Sequence, residues 1–173
     1  MAARLLLVWW SMTGGTRQLV EAAARAAGQA CAQAAPGEGG PVEVLSLAAD
    51  RVGADQVLGA SAYLFATPEN LGSMAGMMKD FFDRTYYAAL ERINGRPYAS
   101  IVCAGSDGQG AVRQIDRIAT GWRLRRVAPP LLVITGAQSP QDILAPKTIA
   151  AGELARAAEL GAALSTGLSL GIW

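Results

Sequence analysis

Residues 4–16 read Arg4-Leu5-Leu6-Leu7-Val8-Trp9-Trp10-Ser11-Met12-Thr13-Gly14-Gly15-Thr16. An apolar run meets a hydroxyl-rich glycine turn, and an alanine-rich stretch with helical spacing follows. A strand that ends in such a turn aims its backbone N–H groups, and the positive end of the next helix, at one spot that suits a phosphate. The hydroxyls of Ser11, Thr13 and Thr16 add donors without adding charge. No Gly-Lys-Ser/Thr follows, so the stretch points to a phosphate monoester, as in a mononucleotide, rather than to a triphosphate with magnesium. A tight strand-to-helix turn with an N-cap has the same composition, and the rest of the chain must choose between the two.

Composition narrows the classes. The 173 residues, 51% of them hydrophobic, fit a single domain, 1–173, with ample material for a core. Fifteen basic and fourteen acidic side chains leave a formal net charge of +1, which calls for neither nucleic acid nor an anionic membrane surface. Arg123, Arg125 and Arg126 form the tight basic cluster; it reads as a solvated edge or as a pyridine-nucleotide phosphate contact. Cys31 and Cys103 lack metal-ligand spacing, and Cys103 sits in an apolar run that makes it a small buried hydrophobe. There is no leader-like N-terminus and no apolar run of spanning length, so the expected location is cytoplasmic. The chain has no histidine. That removes Ser-His and Cys-His nucleophile pairs and histidine metal sites, and no acidic spacing suggests a metal cage, so difficult chemistry needs a borrowed cofactor.

Strand candidates recur at Arg4–Val8, Val42–Leu47, Ala62–Ala66, Tyr98–Ala104 and Leu131–Thr135, with helical stretches between and after them. This alternation predicts a five-stranded parallel sheet covered on both faces by helices. Thr16–Cys31 places Leu19, Ala23, Ala26 and Ala27 on one side, small enough to lie close to the sheet. After the third strand Met74, Met77, Met78, Phe81 and Phe82 make one apolar helical face, with Met74 at the helix start beside the loop and therefore the methionine assigned to touch ligand. A fourth helix, about Ala111 to Trp122, turns Val112, Ile115, Ile118 and Trp122 inward; the last uses Leu154, Ala158, Gly161, Leu164 and Leu168. Residues 32–41 read as a loop.

In open parallel sheets ligands bind beyond the carboxyl ends of the strands, where the strand order reverses. Three strand-end loops fall there. The first is Ser11–Thr16. The second reads Thr67-Pro68-Glu69-Asn70-Leu71-Gly72-Ser73-Met74, in which Pro68 stiffens the chain and Gly72 allows close backbone approach. The third, Gly105-Ser106-Asp107-Gly108-Gln109-Gly110, is rich in N–H donors; its order, G-x-x-G-x-G after the fourth strand, is not the dinucleotide fingerprint. Each is also a normal strand-to-helix turn when taken alone.

Together SMTGGT, TPENLGSMAGMMKDFFDR and AGSDGQGAVRQI resemble the flavodoxin-like FMN proteins, on the side of the short NAD(P)H-dependent FMN reductases and WrbA-like quinone reductases. The resemblance covers nearly the whole chain and implies a flavodoxin-like three-layer α/β/α sandwich with strand order 2-1-3-4-5. By position it implies that Ser11, Met12, Thr13, Gly14, Gly15 and Thr16 bind the FMN phosphate. Pro68, Glu69, Asn70, Leu71 and Gly72 would line the isoalloxazine, and Ser106, Asp107, Gly108, Gln109 and Gly110 would close its other side. Many flavodoxins stack an aromatic on the flavin; neither loop here has one, and Leu71 stands at that position, leaving a ring face for a substrate. Trp9 and Trp10 should point to opposite sides, one into the core and one toward the site or a neighbouring chain.

The resemblance implies a two-electron reductase in which NADH or NADPH gives hydride to flavin N5 and a quinone or similar small molecule receives it, with no side chain assigned as catalytic and no metal. The alternative is a flavodoxin-type carrier serving redox-protein partners; a net charge of +1 weighs against it, since carriers are strongly acidic. A scaffold that has lost its flavin is a third reading. Relatives form dimers or tetramers, which implies a homo-oligomer and offers Ile172-Trp173 as a contact beside simple chain-end packing.

Overall fold

The computed structural model describes residues 2–33 and 39–173. The elements run β1 (Ala3–Trp9), α1 (Gly15–Gln33), β2 (Val42–Ala48), a 3-10 turn (Ala49–Arg51), α2 (Ala54–Gly59), β3 (Ala62–Asn70), β4 (Ser73–Met74) and α3 (Gly76–Ala89). Then follow β5 (Pro97–Ala104), α4 (Gln109–Gly121), β6 (Arg125–Arg126), β7 (Leu131–Ile134), α5 (Pro140–Leu144) and α6 (Ala151–Ser169).

The main sheet is parallel in the order β2-β1-β3-β5, and both β6 and β7 lie beside β5. The expected order 2-1-3-4-5 therefore holds, with the fifth position filled by two short pieces. Between them Pro129 and Pro130 have no N–H to give a ladder. The right-handed crossovers put α1 and α6 on one face and α2, α3 and α4 on the other.

Strand alternation divides the core in two. Leu5, Leu7, Ala62, Leu64, Ala66, Ala99, Ile101 and Cys103 face α1 and α6, where Leu19, Ala23, Ala27, Ala157 and Leu164 meet them. The alanines bring these helices close; a Cβ on Gly161 would collide with the Ala23 carbonyl. The opposite face presents Leu6, Val8, Tyr63, Phe65, Tyr98 and Val102 to Met78, Phe81, Phe82, Ile115 and Trp122. Phe65 is its hub, with ring centroids 5.1 Å from Phe82, 5.7 Å from Tyr63 and 6.4 Å from Trp122. Trp9 packs against the first face and Trp10 against the second, as strand alternation requires.

Two boundaries differ from the sequence expectation. Helix α1 continues through Gln33, because alanine favours helix until the Pro-Gly run begins, so Ala32 and Gln33 are not loop; of the expected loop, residues 34–38 lie outside the described residues. Strand β3 runs four residues past Ala66 and turns back as a hairpin, pairing Asn70 with Ser73 and Glu69 with Met74. Leu71 and Gly72 occupy its tip with φ of 52° and 70°, the left-handed pair that a two-residue hairpin needs. Among the described residues no helix is long and apolar enough to cross a membrane.

Candidate cofactor site

The first turn is braced from below and behind. Gly14, at φ 87°, donates its N–H to Ser11 Oγ at 3.1 Å, and its carbonyl accepts from both Gln18 N and Gln18 Nε2. Gln18 also joins α1 to the chain before α6: its Nε2 donates to the Lys147 carbonyl at 2.7 Å and its Oε1 accepts from Ile149 N at 3.2 Å. Lys147 N–H in turn donates to the Thr13 carbonyl at 2.8 Å. Gly15 is there for space, since a Cβ would stand 3.0 Å from Cys103 Sγ.

These bonds use the acceptors of the turn and leave donors over. The first-turn amides of α1 have no intrahelical acceptor. Ser11 accepts through its oxygen, so its hydroxyl proton is free to be given. Thr16 is 1% exposed, yet its Oγ1 has no hydrogen-bond partner. A buried hydroxyl without a partner costs free energy unless something else satisfies it.

The second loop is a stiff wall. Thr67 Oγ1 accepts from Ala75 N at 3.0 Å and donates to the Pro68 carbonyl at 2.9 Å, tying the hairpin base to the start of α3, while Leu71 at the tip is fully exposed. Gln114 on α4 holds the returning strand, accepting from Met74 N at 2.8 Å. Met74 itself belongs to β4 and is buried in the aromatic core, so the ligand-touching role assigned to it is corrected: pairing with Glu69 turns its side chain inward.

The third loop gives three backbone donors at its end to a carboxylate of the second. Glu69 Oε2 accepts from Gly108 N at 2.7 Å, and Oε1 accepts from Gly110 N at 3.1 Å and Ala111 N at 3.4 Å. One carboxylate thus joins the second loop to the third and sits at the positive end of α4. The fit is close: a Cβ on Gly110 would strike the Gly72 carbonyl, and one on Gly108 would strike Leu132.

Between these walls lies a cavity of about 510 Å³. It brings together Ser11, Met12, Thr13, Gly15 and Thr16 of the first loop, Pro68, Glu69, Asn70, Leu71 and Gly72 of the second, and Ser106 of the third. Gly14 faces a neighbouring depression instead. Asp107, Gly108, Gln109 and Gly110 stand outside the cavity wall; Gly108 and Gly110 reach it through Glu69.

A fourth wall had no counterpart in the sequence reading. Thr135, Ala137, Ile143 and Lys147, from the connection between β7 and α6, close the cavity with Cys103 at the end of β5. The signal available was the length of that connection, which exceeds an ordinary strand-to-helix loop and is punctuated by Pro140 and Pro146. Lys147 folds its ammonium onto the carbonyls of Asp142 at 2.5 Å, Ala145 at 2.6 Å and Ile143 at 3.0 Å, capping the end of α5. Burial pushes the Cys103 thiol up to about 11, against the opposing pull of the Lys147 charge, so it stays a neutral thiol in the wall.

The residues fit a flavin mononucleotide. A turn with neutral donors to spare suits the terminal phosphate, the volume is in the range of cofactor pockets, and no aromatic side chain lines the wall among the described residues. The model of the NADPH-dependent FMN reductase family matches residues 11–138, from the first residue of the Ser11–Thr16 turn through Thr135 and Ala137 of the fourth wall.

The chain belongs to the NADPH-dependent FMN reductase family. FMN is accordingly its cofactor and redox chemistry its class. Solved structures agree on the fold. A flavodoxin from the domain Archaea superposes with a TM-score of 0.73 at 17% identity, over 95% of this chain and 98% of that one. A WrbA-like flavodoxin protein from Agrobacterium tumefaciens gives 0.64 at 18% identity, over 96% and 98%. The flavodiiron core of Flv1 from Synechocystis gives 0.69 at 17% identity, over 96% of this chain but 36% of that longer one, so this chain matches one part of it. Comparison with curated protein sequences returned no match.

Proposed function

We propose that this protein is an NAD(P)H-dependent reductase that holds FMN in the cavity between the phosphate turn and the β3–β4 hairpin and passes two electrons to a quinone or a similar small acceptor. The observation that carries the reading is the pairing of unspent neutral donors at the turn with a cavity wall free of aromatic side chains. Ser11, Thr13, Thr16 and the amides of Gly15 and Thr16 hold the phosphate. Pro68 to Gly72 line one side of the ring system, with the backbone of the hairpin available to its polar edge, and Ser106 closes the other. Bound FMN supplies a ring that accepts and returns hydride; the chain supplies position, a dry wall at Cys103 and Ala104, and an open approach past Leu71.

Glu69 positions rather than reacts. Its carboxylate accepts from three backbone donors, which keeps the hairpin and the third loop at one separation. The balanced charge of the chain fits a small-molecule acceptor better than a partner captured by an acidic surface.

An anaerobic absorbance titration of the FMN-loaded protein with NADPH and NADH, followed by dithionite, tests this. Bleaching by a nicotinamide and recovery on adding a quinone is the expected result. Bleaching by dithionite alone would assign a one-electron carrier, and failure to retain FMN would reject both.

A further inference from the structure

Among the described residues, two charged side chains line the cofactor cavity, Glu69 and Lys147. Glu69 is turned into the backbone of the third loop, where it accepts from Gly108, Gly110 and Ala111. Lys147 is therefore the one cation on the wall, and it lies beyond the residues that the family model matches. The turn itself sets its place. Its N–H donates to the Thr13 carbonyl at 2.8 Å, its carbonyl accepts from Gln18 Nε2 at 2.7 Å, and a Cβ on Gly15 would stand 3.4 Å from its own Cβ. The side chain thus starts against the last glycine of the turn.

The ammonium is positioned without being neutralised. It donates to the carbonyls of Asp142, Ile143 and Ala145, at 2.5, 3.0 and 2.6 Å, and has no carboxylate partner among the described residues. Carbonyls hold a cation in place and leave its net charge to act on its surroundings. That charge reaches the turn. Burial pushes the Cys103 thiol up and Lys147 pulls it the other way, and Cys103 Sγ is 3.0 Å from where a Cβ on Gly15 would stand. Thr16 lines the same cavity, 1% exposed, with its Oγ1 unpartnered. An unpaired cation and an unsatisfied buried hydroxyl, meeting at the first turn of α1, call for one ligand, an anion that serves both.

We propose that Lys147 is the counter-charge of the FMN phosphate, supplying from the connection before α6 the positive charge that the Ser11–Thr16 turn lacks. The inference rests on the reading of that turn as the phosphate site and adds a charged partner to its neutral donors. A phosphate monoester carries close to two negative charges near neutral pH, whereas the hydroxyls and amides of the turn carry none. A half-buried ammonium a short way from such an anion is screened much less than one on an open surface.

Fluorescence titration of the flavin-free protein with FMN and with riboflavin, which lacks the phosphate, tests this at low salt and at about 0.5 M salt. The parent chain should prefer FMN and lose part of that preference as salt rises. Lys147→Gln keeps an N–H for the carbonyls of α5 and removes the charge. It should weaken FMN about tenfold at low salt, leave riboflavin as it was and flatten the salt dependence. Lys147→Arg should retain both the preference and the salt response. Equal losses for FMN and riboflavin in Lys147→Gln would make Lys147 a wall residue only, and an FMN affinity or salt response untouched by the substitution would reject the counter-charge. Either result overturns the inference and leaves the turn as the phosphate site. A parent chain that binds riboflavin as tightly as FMN would instead strike the phosphate turn, and the inference with it.

Discussion

The Ser11–Thr16 turn and the third loop look alike in sequence, each a glycine-rich strand-to-helix connection with small polar residues, and the structure uses them in opposite ways. In Ser11–Thr16 the chain occupies its own acceptors, through Gln18 and Lys147, and leaves hydroxyls and first-turn amides unpaired. In the third loop Glu69 takes the amides of Gly108 and Gly110, and that of Ala111 just beyond it. Donors that a protein keeps for itself make a wall, and donors that it leaves unpaired in a cavity make a binding site. Glycine content does not separate the two.

The largest expected effect comes from removing the acceptor of the third loop. Glu69→Ala leaves three backbone donors without a partner and should cost about 2–3 kcal/mol of stability, read as a lowered Tm, together with weaker FMN retention as the wall loosens. Glu69→Gln keeps an oxygen and should recover part of it. An unchanged Tm in Glu69→Ala would mean that the loops are not held by this carboxylate.

Thr16→Val should act the other way round. It removes an unpartnered hydroxyl, so the flavin-free protein keeps or slightly raises its Tm, while FMN affinity falls about tenfold for the loss of one bond to a charged group. Equal affinity by fluorescence titration would take Thr16 out of the cradle. Thr13→Ala, at a less buried position, should weaken FMN by about fivefold, again without a change in Tm.

The smallest effect is at Cys103, where the end of β5 meets the turn. Its folded thiol titrates at about 11, above an unfolded thiol, so its contribution to stability is complete below the ordinary thiol range and is lost as pH rises toward that value. The buried phenols of Tyr63 and Tyr98, also raised, add to the same alkaline loss. Iodoacetamide at about pH 8 should label Cys31 before Cys103, and FMN should slow Cys103 further. Labelling of Cys103 that ignores FMN would move the ring away from the β5 end.

Much of this was legible beforehand because short-range physics wrote it. Apolar runs of four to seven residues separated by helical spacing marked five strand positions, and the alternation of Leu5 to Val8 across two faces followed from the pleat alone. The boundary at Ala66 was missed because Thr67-Pro68 reads as a stop, whereas Pro68 lies past the last β1 pair, Trp9 with Ala66, and is matched only by Cys103 of β5, so one side of it has no ladder to break. The role of Met74 was missed for the same cause, since an unseen hairpin turned it toward the core.

Local chemistry therefore settled the class of fold and marked the glycine turn between β1 and α1, both of which depend on residue type and near-neighbour spacing. Folding decided which donors stay free, that Glu69 binds the third loop, and that Lys147, Thr135 and Ile143 complete the cavity. Those pairings join residues roughly forty to more than one hundred positions apart, as in Glu69 with Gly108 and Gln18 with Lys147, and no local pattern records a hydrogen bond closed across that distance.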